Sequence, residues 1–171
     1  PEDDKAGRKR IQMNYKELMK SLQITSDDEY EQMNKAFMGG FTHASALYSG
    51  KVMYDVGSAD LTSSYPFTMV AQYFPVTAGE FIGRVEDIGL LSHYLTTYCC
   101  IFDAEFTNLM PLQEYENILS ESRCFIEGGR VINNGRVVSA DKCLTTLTEL
   151  DYDTVQKFYK WDSVKVFNMR I

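Results

Sequence analysis

The sequence has no long hydrophobic run and no signal peptide. A membrane-spanning helix needs roughly 18 or more consecutive apolar residues, and no stretch of this chain approaches that length. Residues 1–10 are charged, whereas a secretory signal contains an apolar segment. We therefore expect a soluble protein that makes no membrane contact and is located in the cytoplasm.

Cysteine pairs of the kind that hold metals are also absent. The cysteines are Cys99, Cys100, Cys124 and Cys143. None of them belongs to a C-x-x-C pair or has a histidine at ligand spacing, so a structural zinc site is not expected. The sequence instead predicts reduced, largely buried thiols.

Basic residues are in the minority. The chain has 17 lysines and arginines against 24 aspartates and glutamates, which gives a net charge of −7. This charge repels nucleic acid at long range unless the basic residues gather on one face. The balance disfavours an independent DNA-binding module. A piece of a larger protein can have its cationic surface elsewhere, and because the first residue is not methionine we expect such a piece.

Two helices are predicted near the N-terminus. Apolar residues between positions 15 and 22 recur at the spacing of one helical face. The segment Ser26–Glu29 has the form of a capping box, so a second helix should begin there. Its inward residues are predicted to be Tyr30, Met33 and Phe37. Gly39-Gly40 should then end it, because glycine enters the left-handed conformation without a Cβ penalty.

A strand, a turn and a helix are predicted next. Residues 51–60 resemble a strand with Val52, Tyr54 and Val56 on one side. Ser63-Ser64-Tyr65-Pro66 is typical of a helix start, with hydroxyls at the cap and proline in the first turn. Asp60 should therefore lie at the end of the strand, just ahead of the helix.

The C-terminal half predicts a sheet. From Tyr98 to Phe106 apolar and polar residues alternate, with Cys100, Phe102, Ala104 and Phe106 on one face. Asn134-Gly135 supplies the positive φ angles of a tight hairpin. Strands are expected at residues 142–148 and 163–171, separated by a helix that Asp151 caps. The fold class is therefore α+β and rich in strands.

Two weaker candidates for chemistry stand outside these elements. His93 lies near Cys99 and Cys100 in sequence, which suggests a Cys–His nucleophile pair, although no third orienting group is evident. Asp103 and Glu105 are two residues apart on one strand face, where they form either a cation site or, as we favour, a solvated face.

The segment Asp60-Leu61-Thr62-Ser63-Ser64-Tyr65-Pro66 resembles D-x-x-S-L-Y-P, the first polymerase motif of family B DNA polymerases. It departs from the pattern at Ser64, where leucine is usual, and at Phe67, where a small residue commonly follows. The resemblance implies an enzyme that transfers nucleotides from dNTPs onto a primer annealed to a DNA template, using two Mg²⁺ ions.

By this resemblance, Asp60 is the catalytic residue and metal ligand, since Mg²⁺ prefers carboxylate oxygens. Leu61, Ser63, Ser64 and Tyr65 would bind the nucleotide. The two serines would offer backbone N–H donors to the triphosphate, and Tyr65 would pack on the sugar and exclude a 2′-hydroxyl.

Residues 37–42, Phe37-Met38-Gly39-Gly40-Phe41-Thr42, resemble the Y-x-G-G-F-T segment of protein-primed phage and plasmid polymerases. In those enzymes the segment joins the exonuclease and polymerase domains and touches the template strand. Phe37, Gly39 and Gly40 are accordingly DNA-binding candidates. Phenylalanine replaces the usual tyrosine at position 37, which removes a hydroxyl.

The order of elements after Asp60 is also similar to that of the protein-primed enzymes, in which an insertion between the first and second motifs contacts the terminal protein that primes synthesis. We accordingly divide the chain into an N-terminal helical segment (1–40), a palm segment with the first motif (41–82) and an inserted α+β subdomain (83–171). The terminal protein is therefore an expected partner. The expected location is the cytoplasm of a bacterial host cell, with the protein encoded by a phage or plasmid.

The family's second and third motifs, K-x-x-x-N-S-x-Y-G and Y-x-D-T-D-S, are absent from this sequence. We therefore expect the parent polymerase to be the enzyme and this piece to be inactive alone. Two alternatives stay open. One is a non-catalytic α+β module that binds protein or nucleic acid. The other is that the motif is an ordinary strand end, with a helix-capping aspartate and a core tyrosine.

Overall fold

The computed structural model describes residues 14–24, 26–40, 47–71, 74–75 and 79–171. The helices are α1 (residues 14–21), α2 (Asp27–Ala36), α3 (Ser64–Ala71), α4 (Ile88–Thr97) and α5 (Glu149–Phe158). The strands are β1 (Phe81–Val85), β2 (Ile101–Pro111), β3 (Cys124–Asn133), β4 (Arg136–Thr148), β5 (Tyr159–Lys160) and β6 (Ser163–Arg170). The fold is α+β, as predicted. Within these ranges, no helix has the length and apolar content to cross a membrane.

One antiparallel sheet contains the strands in the order β1-β6-β2-β4-β3, and β5 pairs with the end of β2. The longest ladder joins β2 to β4, from Ile101 opposite Thr148 to Leu109 opposite Ala140. On its other side β2 pairs with β6. Every strand of this sheet follows residue 80. Strands β2 to β6 lie in the part of the chain that the sequence predicts to be rich in strands, whereas β1 was not predicted.

The hairpin between β3 and β4 turns through Asn134 and Gly135, whose φ angles are 48° and 70°. Asn133 faces Arg136 across it. Positive φ at both central residues is the geometry of a type I′ turn, which matches the twist of the flanking strands. The predicted hairpin is thus confirmed, as are the strands predicted at residues 142–148 and 163–171, which lie in β4 and β6.

The core lies on one face of β2 and β4, under α5. Phe102, Ala104 and Phe106 alternate along β2 and are fully buried, which confirms the predicted inward face. From α5, the ring of Tyr152 meets Phe102 edge to face at a centroid distance of 5.6 Å. The Trp161 ring packs 4.7 Å from that of Phe106. The contact between Tyr152 and Phe102 joins the sheet to the helix that covers it.

The start of α5 differs from the prediction. Thr148, not Asp151, is the N-cap: its hydroxyl accepts a hydrogen bond from the Asp151 N–H, and the Asp151 carboxylate accepts one from the Thr148 N–H. This is a capping box with aspartate at its third helical position. The prediction of Asp151 as cap was wrong because either residue type can cap a helix, and only the backbone geometry decides which one does.

The two N-terminal helices form where predicted, and Ser26 caps α2 by accepting from the Glu29 N–H. The predicted inward face of α2 is wrong, because Tyr30, Met33 and Phe37 are exposed, whereas Gln32 and Ala36 are buried. The apolar side chains of α1 are likewise mostly exposed. Gly39-Gly40 does not end α2 either: the helix stops at Ala36, and neither glycine has a positive φ.

Residues 51–60 form no strand. Every side chain in this segment is exposed, including Val52, Tyr54 and Val56. The strand prediction was wrong because alternation alone does not make a strand. A strand needs a neighbour to take up its N–H and C=O groups, and among the described residues no strand pairs with this segment. The predicted helix that follows it is confirmed as α3.

Replacing Phe106 with alanine should destabilise the fold by about 3–5 kcal/mol, because it removes a buried ring and leaves a cavity. The matched control is Phe125→Ala on β3, whose side chain is 64% exposed and whose loss should change the free energy of unfolding by less than about 0.5 kcal/mol. Urea denaturation followed by circular dichroism measures both. Equal losses in the two variants would show that the core is not where the structure places it.

Candidate functional site

The predicted nucleotide site lies on one exposed segment. Asp60 and Leu61 stand at the end of the irregular stretch, and Ser63, Ser64 and Tyr65 lead into α3. All five side chains are exposed, Tyr65 to 78%. Asp60 does not follow a strand, so that part of the prediction fails, but the order of carboxylate, turn and helix holds.

The turn before α3 has a specific backbone shape. Ser63 has a φ of 56°, in the left-handed region, which reverses the chain just before the helix. The first backbone bond of α3 runs from the Phe67 N–H to the Ser63 carbonyl at 2.9 Å. The N–H groups of Ser64 and Tyr65 precede that bond and therefore have no carbonyl partner within the helix. Pro66 has no N–H to leave unpaired. The helix start thus presents two backbone donors to solvent.

Asp60 is the carboxylate nearest in sequence to those donors. Between Lys51 and Ala71 the only other acidic residue is Asp55. Among the described residues, no group of three or more histidine, cysteine, aspartate or glutamate side chains is arranged to hold a metal ion. As a single exposed carboxylate, Asp60 can supply one oxygen ligand to Mg²⁺, an ion that proteins usually hold with one or two carboxylates together with substrate phosphates.

The segment Phe37–Gly40 follows α2 and is partly open to solvent. Phe37 is 68% exposed, whereas Met38 packs against the core. Gly39 lines a cavity of about 310 Å³ together with Ile118 and Val155. A Cβ atom added at Gly39 or Gly40 would meet no atom within 4 Å, so the backbone here is accessible to a ligand. Phe41 and Thr42 of the same motif lie outside the described residues.

Asp103 and Glu105 are engaged in the polar face of the sheet. Asp103 accepts hydrogen bonds from the Thr146 hydroxyl at 2.6 Å and from the Asn168 amide at 2.8 Å. Glu105 binds the Lys165 ammonium at 2.7 Å, and this bond holds the pKa of Glu105 below its usual value. These partners favour the interpretation of a structural, solvated face over that of a cation site.

No Cys–His nucleophile pair is formed by His93. Its ring nitrogen Nδ1 is 3.4 Å from the Thr97 hydroxyl, while the Cys100 thiol lies 3.3 Å from the Tyr94 carbonyl oxygen. Burial, with a smaller contribution from Glu149, raises the pKa of Cys100 to about 12. All four cysteines are free, and Cys100 and Cys143 are buried and Cys124 is partly so, as predicted; Cys99 is the exception, because it is exposed.

Sequence analysis missed Gln32, which is buried against the sheet and hydrogen-bonded through both atoms of its amide. The buried face of α2 was predicted from the spacing of apolar residues alone, and such a pattern cannot identify a buried glutamine. The one available signal was its spacing of four residues from Ala36, the other buried residue of α2.

The chain matches the family model of DNA polymerase type B, organellar and viral, over residues 8–164. The match covers most of the 171 residues and includes both the Phe37–Gly40 segment and the Asp60–Tyr65 segment. The chain therefore belongs to the type B DNA polymerase family. No match was found among curated proteins or among solved structures.

Adjacent cysteines offer a test of the thiol chemistry. At pH 8 a thiol with a pKa of about 12 is ionised to only about one part in 10⁴, so Cys100 should resist iodoacetamide in the native protein. The Cys99→Ser variant isolates Cys100 and should stay unlabelled at this site until urea is added. The Cys100→Ser variant isolates the exposed Cys99, which should be labelled. Mass spectrometry of the peptide that contains positions 99 and 100 measures the labelling in both variants. Rapid labelling of Cys100 in the native protein would contradict its burial.

Proposed function

We propose that the chain is part of a DNA-directed DNA polymerase of the protein-primed phage or plasmid kind. In this proposal, residues 60–66 form one side of the nucleotide-binding site. The observation that carries the proposal is the Asp60–Pro66 sequence, in which an exposed carboxylate precedes a helix start with two N–H groups that have no partner among the described residues. Family membership supports the polymerase chemistry.

Asp60 is the metal ligand in this proposal. Two Mg²⁺ ions held there would supply activation of the primer hydroxyl and neutralisation of the charge that develops on the phosphoryl oxygens. Asp60 supplies one anionic oxygen, and its exposure leaves room for a second carboxylate from outside the described residues. Because a lone carboxylate is a weak Mg²⁺ site, we propose that residues 1–171 alone are inactive and that the complete polymerase is the enzyme.

The proposed triphosphate donors are the N–H groups of Ser64 and Tyr65, whereas Ser63, predicted as a donor, forms the turn before them. Helix N-termini attract phosphate because their free N–H groups and the helix dipole both favour negative charge. In α3 those free groups belong to Ser64 and Tyr65, and the left-handed turn at Ser63 directs the chain into the helix. Leu61 lies on the same exposed segment and is proposed to form an apolar part of the nucleotide pocket.

Tyr65 selects the sugar. Its ring is exposed at the first turn of α3, and because its own N–H is one of the two proposed triphosphate donors, the ring adjoins the proposed triphosphate site. A rigid aromatic ring packed against C2′ of the sugar leaves room for a hydrogen atom at that position but clashes with a hydroxyl group. The discrimination between dNTP and NTP is therefore steric in this proposal and involves no hydrogen bond to the 2′ position.

Phe37, Gly39 and Gly40 contact the template strand in this proposal. Phe37 offers an exposed ring for stacking, and the two glycines leave the backbone open to a close approach by phosphate. The residues from 83 onwards, which hold most of the sheet, form the inserted subdomain, and a terminal protein is its proposed partner. The proposed setting is the cytoplasm of a bacterial host.

The test of the metal ligand is primer extension by the full-length polymerase with Mg²⁺ and dNTPs. Asp60→Asn should lower kcat by about 10³-fold or more, since it removes a charged ligand worth several kcal/mol in the transition state. Asp55→Asn is the matched control, because Asp55 is an exposed aspartate of the same segment and asparagine tolerates its positive φ.

The control variant should extend primers at the native rate. If both variants keep native activity, the metal role of Asp60 is refuted and a binding module becomes the better description. If both lose activity while their circular dichroism spectra stay native, the segment matters for a reason other than metal ligation.

The sugar selection by Tyr65 predicts that Tyr65→Val raises the incorporation of ribonucleotides. The ratio of kcat/KM for dNTP to that for NTP should fall by about 10- to 100-fold, the range that a steric contact in a pocket provides. Tyr54→Val, at another exposed tyrosine of the same segment, should leave the ratio unchanged. An unchanged ratio in the Tyr65 variant would remove this residue from the sugar pocket.

A further inference from the structure

Helix α2 is attached to the sheet mainly through hydrogen bonds. Gln32 is only 6% exposed, and its side-chain amide both donates and accepts a hydrogen bond. Its Nε2 donates to the Asn168 carbonyl at 2.7 Å, and its Oε1 accepts from Arg170 Nε at 3.0 Å. One side chain of α2 thus bridges two residues of β6.

A second bond holds the C-terminal end of α2. Arg123 Nη1 donates to the Asn34 carbonyl at 2.7 Å. This carbonyl is one of the last four of the helix, which have no partner within it. Arg123 lies in the short turn that precedes β3, so its bond and those of Gln32 reach different parts of the sheet.

Apolar packing does not by itself determine how α2 lies on the sheet. A groove of about 440 Å³ lies between part of α2 and part of the sheet. Its walls include the polar side chains of Asp28, Glu31, Lys35, Asp103 and Asn168. Ala36 is the one buried apolar residue of α2. Hydrophobic contact is non-directional, whereas hydrogen bonds require particular distances and angles. The rotation of α2 therefore depends on Gln32 and Arg123.

We propose that Gln32, assisted by Arg123, is a positioning residue for the template-contacting segment Phe37–Gly40. This rests on the proposed function of that segment. The segment begins directly after α2, five residues beyond Gln32, so a rotation of the helix moves the ring of Phe37. Met38, which packs against the core, anchors the segment at one point, and Gln32 sets the direction from which the chain arrives.

The test uses the full-length polymerase with Gln32→Leu, which keeps the side-chain volume and removes both hydrogen bonds. Gln23→Leu is the matched control, because Gln23 is exposed. Fluorescence anisotropy measures the Kd for primer–template DNA, and hydrogen exchange is followed at residues 27–40 and in β2. In Gln32→Leu we expect the Kd to rise about threefold to tenfold, with faster hydrogen exchange in α2 and unchanged exchange in β2. Gln23→Leu should keep the native Kd and the native exchange rates.

A salt series adds a second readout. A cation that touches phosphate contributes about one unit to the slope of log Kd against log salt concentration. As a positioning residue, Arg123 should leave that slope unchanged in Arg123→Gln, which removes its positive charge. Arg123→Lys should keep a near-native Kd, because its ammonium can still donate to the Asn34 carbonyl. A lower slope in Arg123→Gln would overturn the positioning role, because it would show that Arg123 itself touches phosphate.

Phe37→Ala separates the failure of this inference from the failure of the proposed function. If Phe37→Ala weakens DNA binding and Gln32→Leu does not, the segment binds DNA but Gln32 does not position it. If neither variant changes the Kd, the DNA role of Phe37–Gly40 fails, and the positioning role fails with it. If the Gln23 control weakens binding as much as Gln32→Leu does, the effect is not specific to the bridge.

Discussion

Strand β2 is the element on which the rest of the structure depends. It is hydrogen-bonded on both sides, to β4 and to β6, so its position in the sheet is determined along most of its length. Because its side chains alternate, one face receives Phe102 and Phe106, and the other receives Asp103 and Glu105. The apolar face accounts for the packing of α5. The polar face accounts for a groove lined by charged and amide groups beneath α2.

The candidate nucleotide site contrasts with this scaffold. Helix α3 has no buried residue, and the segment before it exposes large apolar side chains such as Tyr54, Val56 and Leu61. Exposed apolar surface on this scale marks an interaction site in a soluble protein. The site is therefore held in place by its own backbone turn at Ser63 more than by packing.

Local signals made much of the fold predictable. The Asn134-Gly135 turn, the alternation along β2 and the Ser26 cap each depend on neighbours in sequence, and each is confirmed. The failures depend on partners distant in sequence. The strand expected at residues 51–60 has no neighbour among the described residues, and the inward face of α2 follows Gln32, whose partners are more than 130 residues away. For the candidate site, the sequence predicted that a turn and a helix follow Asp60. It did not predict the irregular backbone before Asp60.

The acidic charge of the chain limits how it can bind DNA. Several of its cations are already paired: Lys142 and Lys165 with Glu105, Lys157 with Asp153, and Arg84 with Glu86. Exposed pairs of this kind contribute little to stability, but they reduce the positive field that would attract phosphate. In the proposed site, the N–H groups at the start of α3 and Mg²⁺ held with Asp60 would act on a nucleotide only at short range. Such a site would orient a substrate that has already arrived, whereas the net charge of −7 opposes the long-range attraction of DNA.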